Sequence, residues 1–391
     1  MKSVTVIGAG AAGIMAAYWA AKGGASVTLF EGSTTPGKKI LVSGGGRCNV
    51  LPQQSSVKDF HTQGSKNLVK RWFKSWSLAD IRQFFEDDLS IPLIDEEDGK
   101  VFPKSGKSRE IRDALLHSAI EAGVILKQSF RVEDLSPYLE QGPVILATGG
   151  RSVPKTGSDG KGYGLCKDLG HSLVTPYPAL VPLWNEEADF QSLSGLSLPV
   201  QWQARTPQGK ILDQGRRNLL FTHKGFSGPA ILDASHWVTR EQAELFVNWG
   251  EKNAIEWEKL LLYESGKITP LLQEHLPRRL AKTLLRRVAI PPDLNLAQLD
   301  KVRRKELIRK ITECPLNITA DAGWNAAEVT GGGIPLSEVN PASFESRCQP
   351  NLFLCGEILD CTGRLGGYNF LWAWVSARLA GTASAQEQKE D

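Results

Sequence analysis

The sequence contains no C-x-x-C pair: its six cysteines (Cys48, Cys166, Cys314, Cys348, Cys355 and Cys361) are scattered through 391 residues. That scatter argues against a disulfide framework and against a zinc knuckle. No uninterrupted apolar run reaches the ~18 residues that a spanning helix needs, so no membrane association is expected. No basic leader precedes the first strand pattern at Ser3, so no secretory signal is expected and the cytoplasm is the expected compartment. The formal charge of +3 is too small to name a partner. There is no internal repeat, and the only biased stretch is the short polar tail AQEQKED. What remains is a chain that is 41% hydrophobic, enough to bury cores in two or three domains.

The segment SVTVIGAGAAGIMAAYWAAKGGASVTLFE passes from a strand pattern (Val4, Val6, Ile7) to an Ala-rich helix and back to a strand at Ser26 to Phe30, a βαβ unit. Gly8, Gly10 and Gly13 form G-x-G-x-x-G at its first turn. The first glycine permits the tight turn, the second admits a pyrophosphate to the backbone, and the third lets the helix pack on the sheet. Glu31 ends the second strand 18 residues beyond Gly13, where a carboxylate can accept hydrogen bonds from ribose hydroxyls. An acid there suits an unphosphorylated ribose, hence FAD or NAD. No second complete G-x-G-x-x-G is visible, so a separate nicotinamide-binding domain is not supported. The C-terminal CGEILDCTGRLGGYNFLWAW reads as strand, glycine loop and helix N-terminus, a second approach to a flavin, which favours FAD.

Between these ends, residues 65 to 90 carry apolar residues at helical spacing, and Ser108 to Gly123 reads as a helix with Ser108 as its N-cap. A third strand is expected at Pro143 to Thr148. The spacing predicts a first FAD-binding segment over 1–185 and a β-rich insert over 186–254, returning at 312–326. A helical basic stretch fills 255–311, and 327–391 completes the FAD-binding domain. From Arg278 to Lys310 there are eleven Lys/Arg against three Asp/Glu, a run that fits either a solvated helix face or a track for RNA phosphates.

The motifs GAGAAG, KKILVSGGGRCNV, ATGGRSVPKTGSDGKGYGLC, FTHKGFSGPAIL, EVTGGGIPLSEV and CGEILDCTGRLGGYNF occur in order over nearly the whole chain. Their combination resembles the bacterial BaiN/RdsA-type, or YhiN-like, FAD flavoprotein family. The resemblance implies an α/β fold with a Rossmann-like, two-dinucleotide-type FAD domain, an inserted β-barrel-like domain and a small helical domain. It implies an FAD-dependent oxidoreductase with NAD(P)H as transient reductant. One branch is associated with reducing double bonds in steroid-like bile acids, another with reducing uracil to dihydrouridine in large-subunit ribosomal RNA. The partner is therefore a small molecule or ribosomal RNA; a non-catalytic FAD-bound protein is the third alternative. Two positions depart from the family pattern: GSDGKGY (Gly157 to Tyr163) stands where GSTGDGY is common, and Cys361 and Thr362 replace an aspartate and glycine.

The cofactor contacts expected on these motifs are Gly8, Gly10, Ala11, Ala12, Gly13 and Glu31 in the first, and Lys39, Ser43, Gly44, Gly45, Gly46, Arg47, Cys48 and Asn49 in the second. Ala147, Thr148 and Gly149 follow in the third, and Gly356, Glu357, Asp360, Gly366, Gly367, Tyr368, Asn369 and Phe370 in the last. The triple glycine and Ser43 fit a loop that approaches the pyrophosphate, with Arg47 adding charge and Asn49 fixing the turn. Cys48 has no nearby partner sulfur for a dithiol relay. Reduction of an activated C=C bond needs a proton donor opposite the flavin. The pool is Cys48, Tyr163, His223, Lys224, Arg364 and Tyr368, of which Cys48, His223, Arg364 and Tyr368 are the catalytic candidates. No metal site is expected.

Overall fold

The computed structural model describes residues 2–386, so most of the polar tail lies outside the described residues. The chain forms two compact units, one from Met1–Tyr177 with Glu328–Asp391 and the other from Pro178–Ala327.

In the first unit, β1 (Ser3–Ile7) leads through α1 (Ala11–Lys22) to β2 (Ser26–Phe30). Then follow α2 (Ser108–Glu121), β3 (Ile125–Lys127), β4 (Val144–Leu146), β5 (Leu352–Leu354) and α3 (Tyr368–Ala385). The sheet order is β5-β4-β1-β2-β3, and every pair is parallel. Val4, Val6, Ile145 and Leu354 are wholly buried, as expected of strands covered on both faces. On one face α1 meets α3 so closely that a Cβ at Gly381 would lie 2.4 Å from the Ala16 carbonyl oxygen. All five strands point the same way, so Gly8, Glu31, Ala147 and Cys355 leave their strands at one edge of the sheet. That carboxyl edge is where ligands bind in open α/β folds.

Two local expectations change, and one strand was not expected. Ser108 is the first helical residue rather than the cap, because its hydroxyl donates to the Leu41 carbonyl at 2.9 Å. The helical stretch 65–90 is broken: helix Lys66–Ser75 ends before Trp76, and a capping box between Ser77 and Asp80 starts a new helix at Leu78. The edge strand Ile125–Lys127 had no distinctive pattern in the sequence, being only three residues long.

The second unit is built on a seven-stranded antiparallel sheet. Its order is Cys314–Pro315, Glu244–Asn248, Ser197–Arg205, Ile211–Thr222, Gly225–Ser227, Leu183–Trp184 and Ala320–Asp321. Ser197–Arg205 alternates exposed and buried positions, the pattern of a strand with one face in a core. Helices Ala254–Tyr263, Arg278–Arg287 and Lys301–Thr312 share that core through Trp257, Leu284 and Ile311, beside Trp202 and Trp249 from the sheet. Among the described residues no helix is long and apolar enough to cross a membrane.

Candidate functional site: a dinucleotide cradle at the sheet edge

The three glycines of the first motif play different parts. A Cβ at Gly13 would stand 1.7 Å from the Gly8 carbonyl oxygen, and one at Gly8 would stand 2.6 Å from the Ala147 carbonyl oxygen. Both are therefore fixed by packing of the chain on itself. A Cβ at Gly10 would meet nothing within 4 Å, so its bareness opens space beside the helix rather than filling it. Gly10 is the N-cap of α1, no side chain caps the helix, and its first turn holds no acid. The Ala11 and Ala12 end of α1 thus presents a positive dipole end to that space.

Glu31 closes the cradle on the other side. Its two carboxylate oxygens accept the backbone N–H groups of Ala9 (2.9 Å) and Ser33 (2.8 Å), which fixes the group while leaving a lone pair on each oxygen. The charge is thereby held next to the turn that the glycines shape.

The triple glycine forms a tight left-handed loop, with φ of 55° at Gly44, 67° at Gly45 and 85° at Gly46. Ser43 donates to the Ile40 carbonyl at 2.8 Å and accepts the Cys48 N–H on its own carbonyl at 3.1 Å, so the loop closes on itself. Arg47 turns outward, stacks over Phe102 at 4.0 Å and forms a bidentate pair with Glu96 at 2.6 and 3.3 Å. Its charge is thus engaged at the surface. Cys48 is wholly buried, and burial pushes its thiol up to about 12, so it stays protonated near neutral pH. Asn49, with its amide oriented to satisfy its neighbours, donates to the Leu51 and Val101 carbonyls and accepts the Gly367 N–H at 3.0 Å. One asparagine therefore ties the glycine loop to the turn before α3.

In that turn Gly366 and Gly367 have φ of 130° and 89°, and Gly367 is the N-cap of α3. Asn369 does not cap the helix; it reaches back to accept the Gly363 N–H at 2.8 Å and donate to the Gly363 carbonyl at 2.9 Å. Tyr368 is half-buried and lies edge-on to Phe60, and Phe370 stacks on Trp374. The Arg364 N–H donates to the Asp59 carbonyl. Asp360 is buried and accepts the Gln63 N–H at 2.7 Å and the Thr62 hydroxyl at 3.2 Å.

A polar network that no local motif announces runs between these loops. Lys39 donates to Glu357 at 2.5 Å and to Ser152 at 2.7 Å; Glu357 also accepts the Ser152 hydroxyl (2.8 Å) and the Thr330 N–H (2.9 Å). Burial pushes the Glu357 carboxyl up, but Lys39 and the two further donors outweigh it and leave it below its ordinary value. Gly356, one residue earlier, donates to Ser376 of α3 and accepts the Trp372 indole N–H. Ser152 and Thr330 escaped the sequence reading. Ser152 does stand three residues after Gly149, inside the ATGGRS turn, which is the signal that could have found it.

Two hydroxyls in the same neighbourhood are buried without a hydrogen-bond partner among the described residues: Thr148 Oγ1 and Tyr163 Oη. Thr148 lies against helix Lys161–Asp168, since a Cβ at Gly162 would come within 2.0 Å of its Oγ1. Burial pushes the Tyr163 hydroxyl up, and the Glu357, Cys166 and Asp360 charges push it further, so it keeps its proton. His223 and Lys224 belong to the second unit, at the exposed turn between strands Ile211–Thr222 and Gly225–Ser227.

These features fit a dinucleotide with a flavin: an open glycine at an uncapped helix end, a fixed carboxylate where a ribose belongs, and buried hydroxyls awaiting partners. Residues 2–383 match the family described as HI0933-like protein Rossmann domain. A ribosomal RNA dihydrouridine synthase of Escherichia coli is 32% identical over 397 residues, covering 95% of this chain and 95% of that protein. A 3-dehydro-bile acid delta(4,6)-reductase of Clostridium scindens is 28% identical over 417 residues, covering 99% of this chain and 100% of that protein. Among solved structures, the 3-ketosteroid-delta4-(5alpha)-dehydrogenase of Rhodococcus jostii RHA1 matches with a TM-score of 0.49 at 14% identity, covering 99% of this chain and 97% of that one. The chain belongs to the HI0933-like family and is an FAD-dependent oxidoreductase with a Rossmann-type cofactor-binding unit.

Proposed function

We propose that the protein reduces a C=C bond conjugated to a carbonyl, that its substrate is a uracil of ribosomal RNA, and that NAD(P)H is the electron donor. The observation that carries this reading is the 32% identity, over 95% of both chains, to a relative named for making dihydrouridine in ribosomal RNA. The relative named as a bile acid delta(4,6)-reductase supports the reaction class, because both names describe adding two hydrogens across such a bond.

Bound FAD supplies the hydride in such a reaction; position, exclusion of water and one proton fall to the protein. In the turn that Gly8 and Gly13 shape, Gly10 and the Ala11–Ala12 helix end would hold the pyrophosphate, Glu31 would hold the adenosine ribose, and Thr148 and Tyr163 would offer their unpartnered hydroxyls to the rest of the cofactor. Tyr368, on the glycine turn tied to Asn49, delivers the proton from its Oη, while Arg364 on the same turn orients the carbonyl of the substrate. Cys48 is set aside as the donor because it is buried within the loop.

The basic stretch lends limited support to RNA. Arg286 pairs with Asp189, Arg287 with Glu187, Arg304 with Glu258 and Arg309 with Glu306, so much of its charge is neutralised internally. Arg278 and Lys282 on one helix, and Lys301 and Lys305 on another, remain exposed and without an acidic partner among the described residues. Each pair is spaced i,i+4 and so shares a helix face. The reading is tested by incubating the protein with NADPH and deproteinised ribosomal RNA, then measuring dihydrouridine by nucleoside mass spectrometry. Dihydrouridine that depends on FAD is expected. Turnover of a steroid enone with none of the RNA would move the substrate to the small-molecule class.

A further inference from the structure

The motif FTHKGFSGP is not used by the cofactor cradle. Its His223 and Lys224 are exposed at the tip of a hairpin, and neither side chain has an ion-pair partner among the described residues. Strand Leu183–Trp184 pairs alongside, with Trp184 directly opposite Gly225. A side chain at position 225 is impossible without moving the backbone: φ is 146°, and a Cβ would stand 2.3 Å from the Leu183 carbonyl oxygen. Gly225 therefore offers Trp184 no side chain on one side and its partner on the other is only Ala320, so the indole stays 38% exposed. The Lys224 ammonium lies 5.3 Å from its ring centroid.

The turn is held firmly. The Asn185 N–H donates to the Lys224 carbonyl at 2.9 Å, the Lys224 N–H donates to the Thr222 hydroxyl at 3.3 Å, and the Thr319 N–H donates to the Trp184 carbonyl at 3.0 Å. The result is a partly exposed indole with an ammonium over its ring, on the strand next to the sheet edge, and an exposed imidazole one residue before that lysine. An aromatic face stacks on a base, and the adjoining cation draws its phosphate.

We propose that Trp184, His223 and Lys224 form a docking patch for one unpaired nucleotide of the RNA substrate, the base on the indole and the phosphate on Lys224 and His223. This rests on the reading of ribosomal RNA as the substrate. It also separates two kinds of basic surface: the helical stretch carries charge alone, whereas this patch joins charge to a stacking platform.

The test uses the FAD-loaded full chain and a fluorescein-labelled single-stranded RNA rich in uridine, with binding followed by anisotropy across a salt series. Trp184→Ala is expected to weaken binding roughly tenfold, with Trp184→Phe restoring most of it. Lys224→Gln is expected to flatten the log–log salt slope by about one unit. Both side chains are exposed, so the melting temperature and flavin spectrum should match the parent. Parent-like binding by Trp184→Ala and Lys224→Gln would overturn the patch while leaving the RNA reading intact. Equal binding of the same sequence as a duplex would also overturn it, because paired bases cannot take the indole. A parent protein that binds neither RNA form would sink both the patch and the reading on which it rests.

Discussion

Gly10 and Gly13 are equivalent letters in one motif, yet their surroundings differ, and substitutions should separate them. Gly13→Ala forces a Cβ onto the Gly8 carbonyl, so it should lower the melting temperature of the FAD-free protein. Gly10→Ala meets no protein atom, so it should leave that temperature unchanged and weaken FAD binding instead. Calorimetry of the FAD-free protein beside a flavin titration distinguishes the two. Glu31→Ala should lose about 1.5–3 kcal/mol of FAD affinity, the size of a hydrogen bond to a charged group. It should also loosen the Ala9 and Ser33 amides that the carboxylate holds. Unchanged affinity in a fluorescence titration would count against the ribose assignment. Tyr368→Phe should slow reoxidation of the reduced protein by substrate while leaving FAD content and anaerobic reduction by NADPH as they were. A parent-like reoxidation rate would remove Tyr368 from the proton path.

Elements separated by hundreds of residues meet through single side chains. Lys39 follows β2 and Glu357 follows β5, and their pair joins the two crossings of the chain through the first unit. Lys39→Met should lower the stability of the FAD-free protein by about 2 kcal/mol at pH 7, because Glu357 would lose the cation that offsets its burial. The folded-state pKa of Glu357 lies below the ordinary value of 4.5, so this contribution is present above that value and lost as the pH falls through the depressed one. Denaturation of parent and variant should therefore differ at pH 7 and converge toward strongly acidic pH. A difference that persists at the acid end would contradict the ion-pair account. The same pairs mark the limit of sequence reading. The glycine spacing and Glu31 were legible because a turn and the strand after it are local chemistry. The partners of Lys39, Arg47 and Asn49 were not, since Glu357, Glu96 and Gly367 become neighbours only after the sheet is assembled. Ser108 misled for a related reason: its hydroxyl looks like a cap until Leu41 takes it.

At the scale of the whole molecule, one compact unit is built from both ends of the chain, and a second unit between them has its own aromatic core. In the sequence, texture changes from βαβ to short antiparallel strands near residue 180. Charge did not reveal as much: much of the basic stretch is spent on internal acids, which no count of lysines and arginines could show. FAD binding should slow hydrogen exchange most at residues 8–13 and 147–149, where amides line the cradle, and slower exchange elsewhere alone would displace the site. The central claim is tested most directly by anaerobic flavin spectroscopy. The purified protein, bleached by NADPH and then mixed with ribosomal RNA in the absence of oxygen, should regain its oxidised-flavin absorbance as dihydrouridine accumulates. A bleached protein that recovers its colour only on admitting oxygen, with neither RNA nor an enone reoxidising it, would contradict the account.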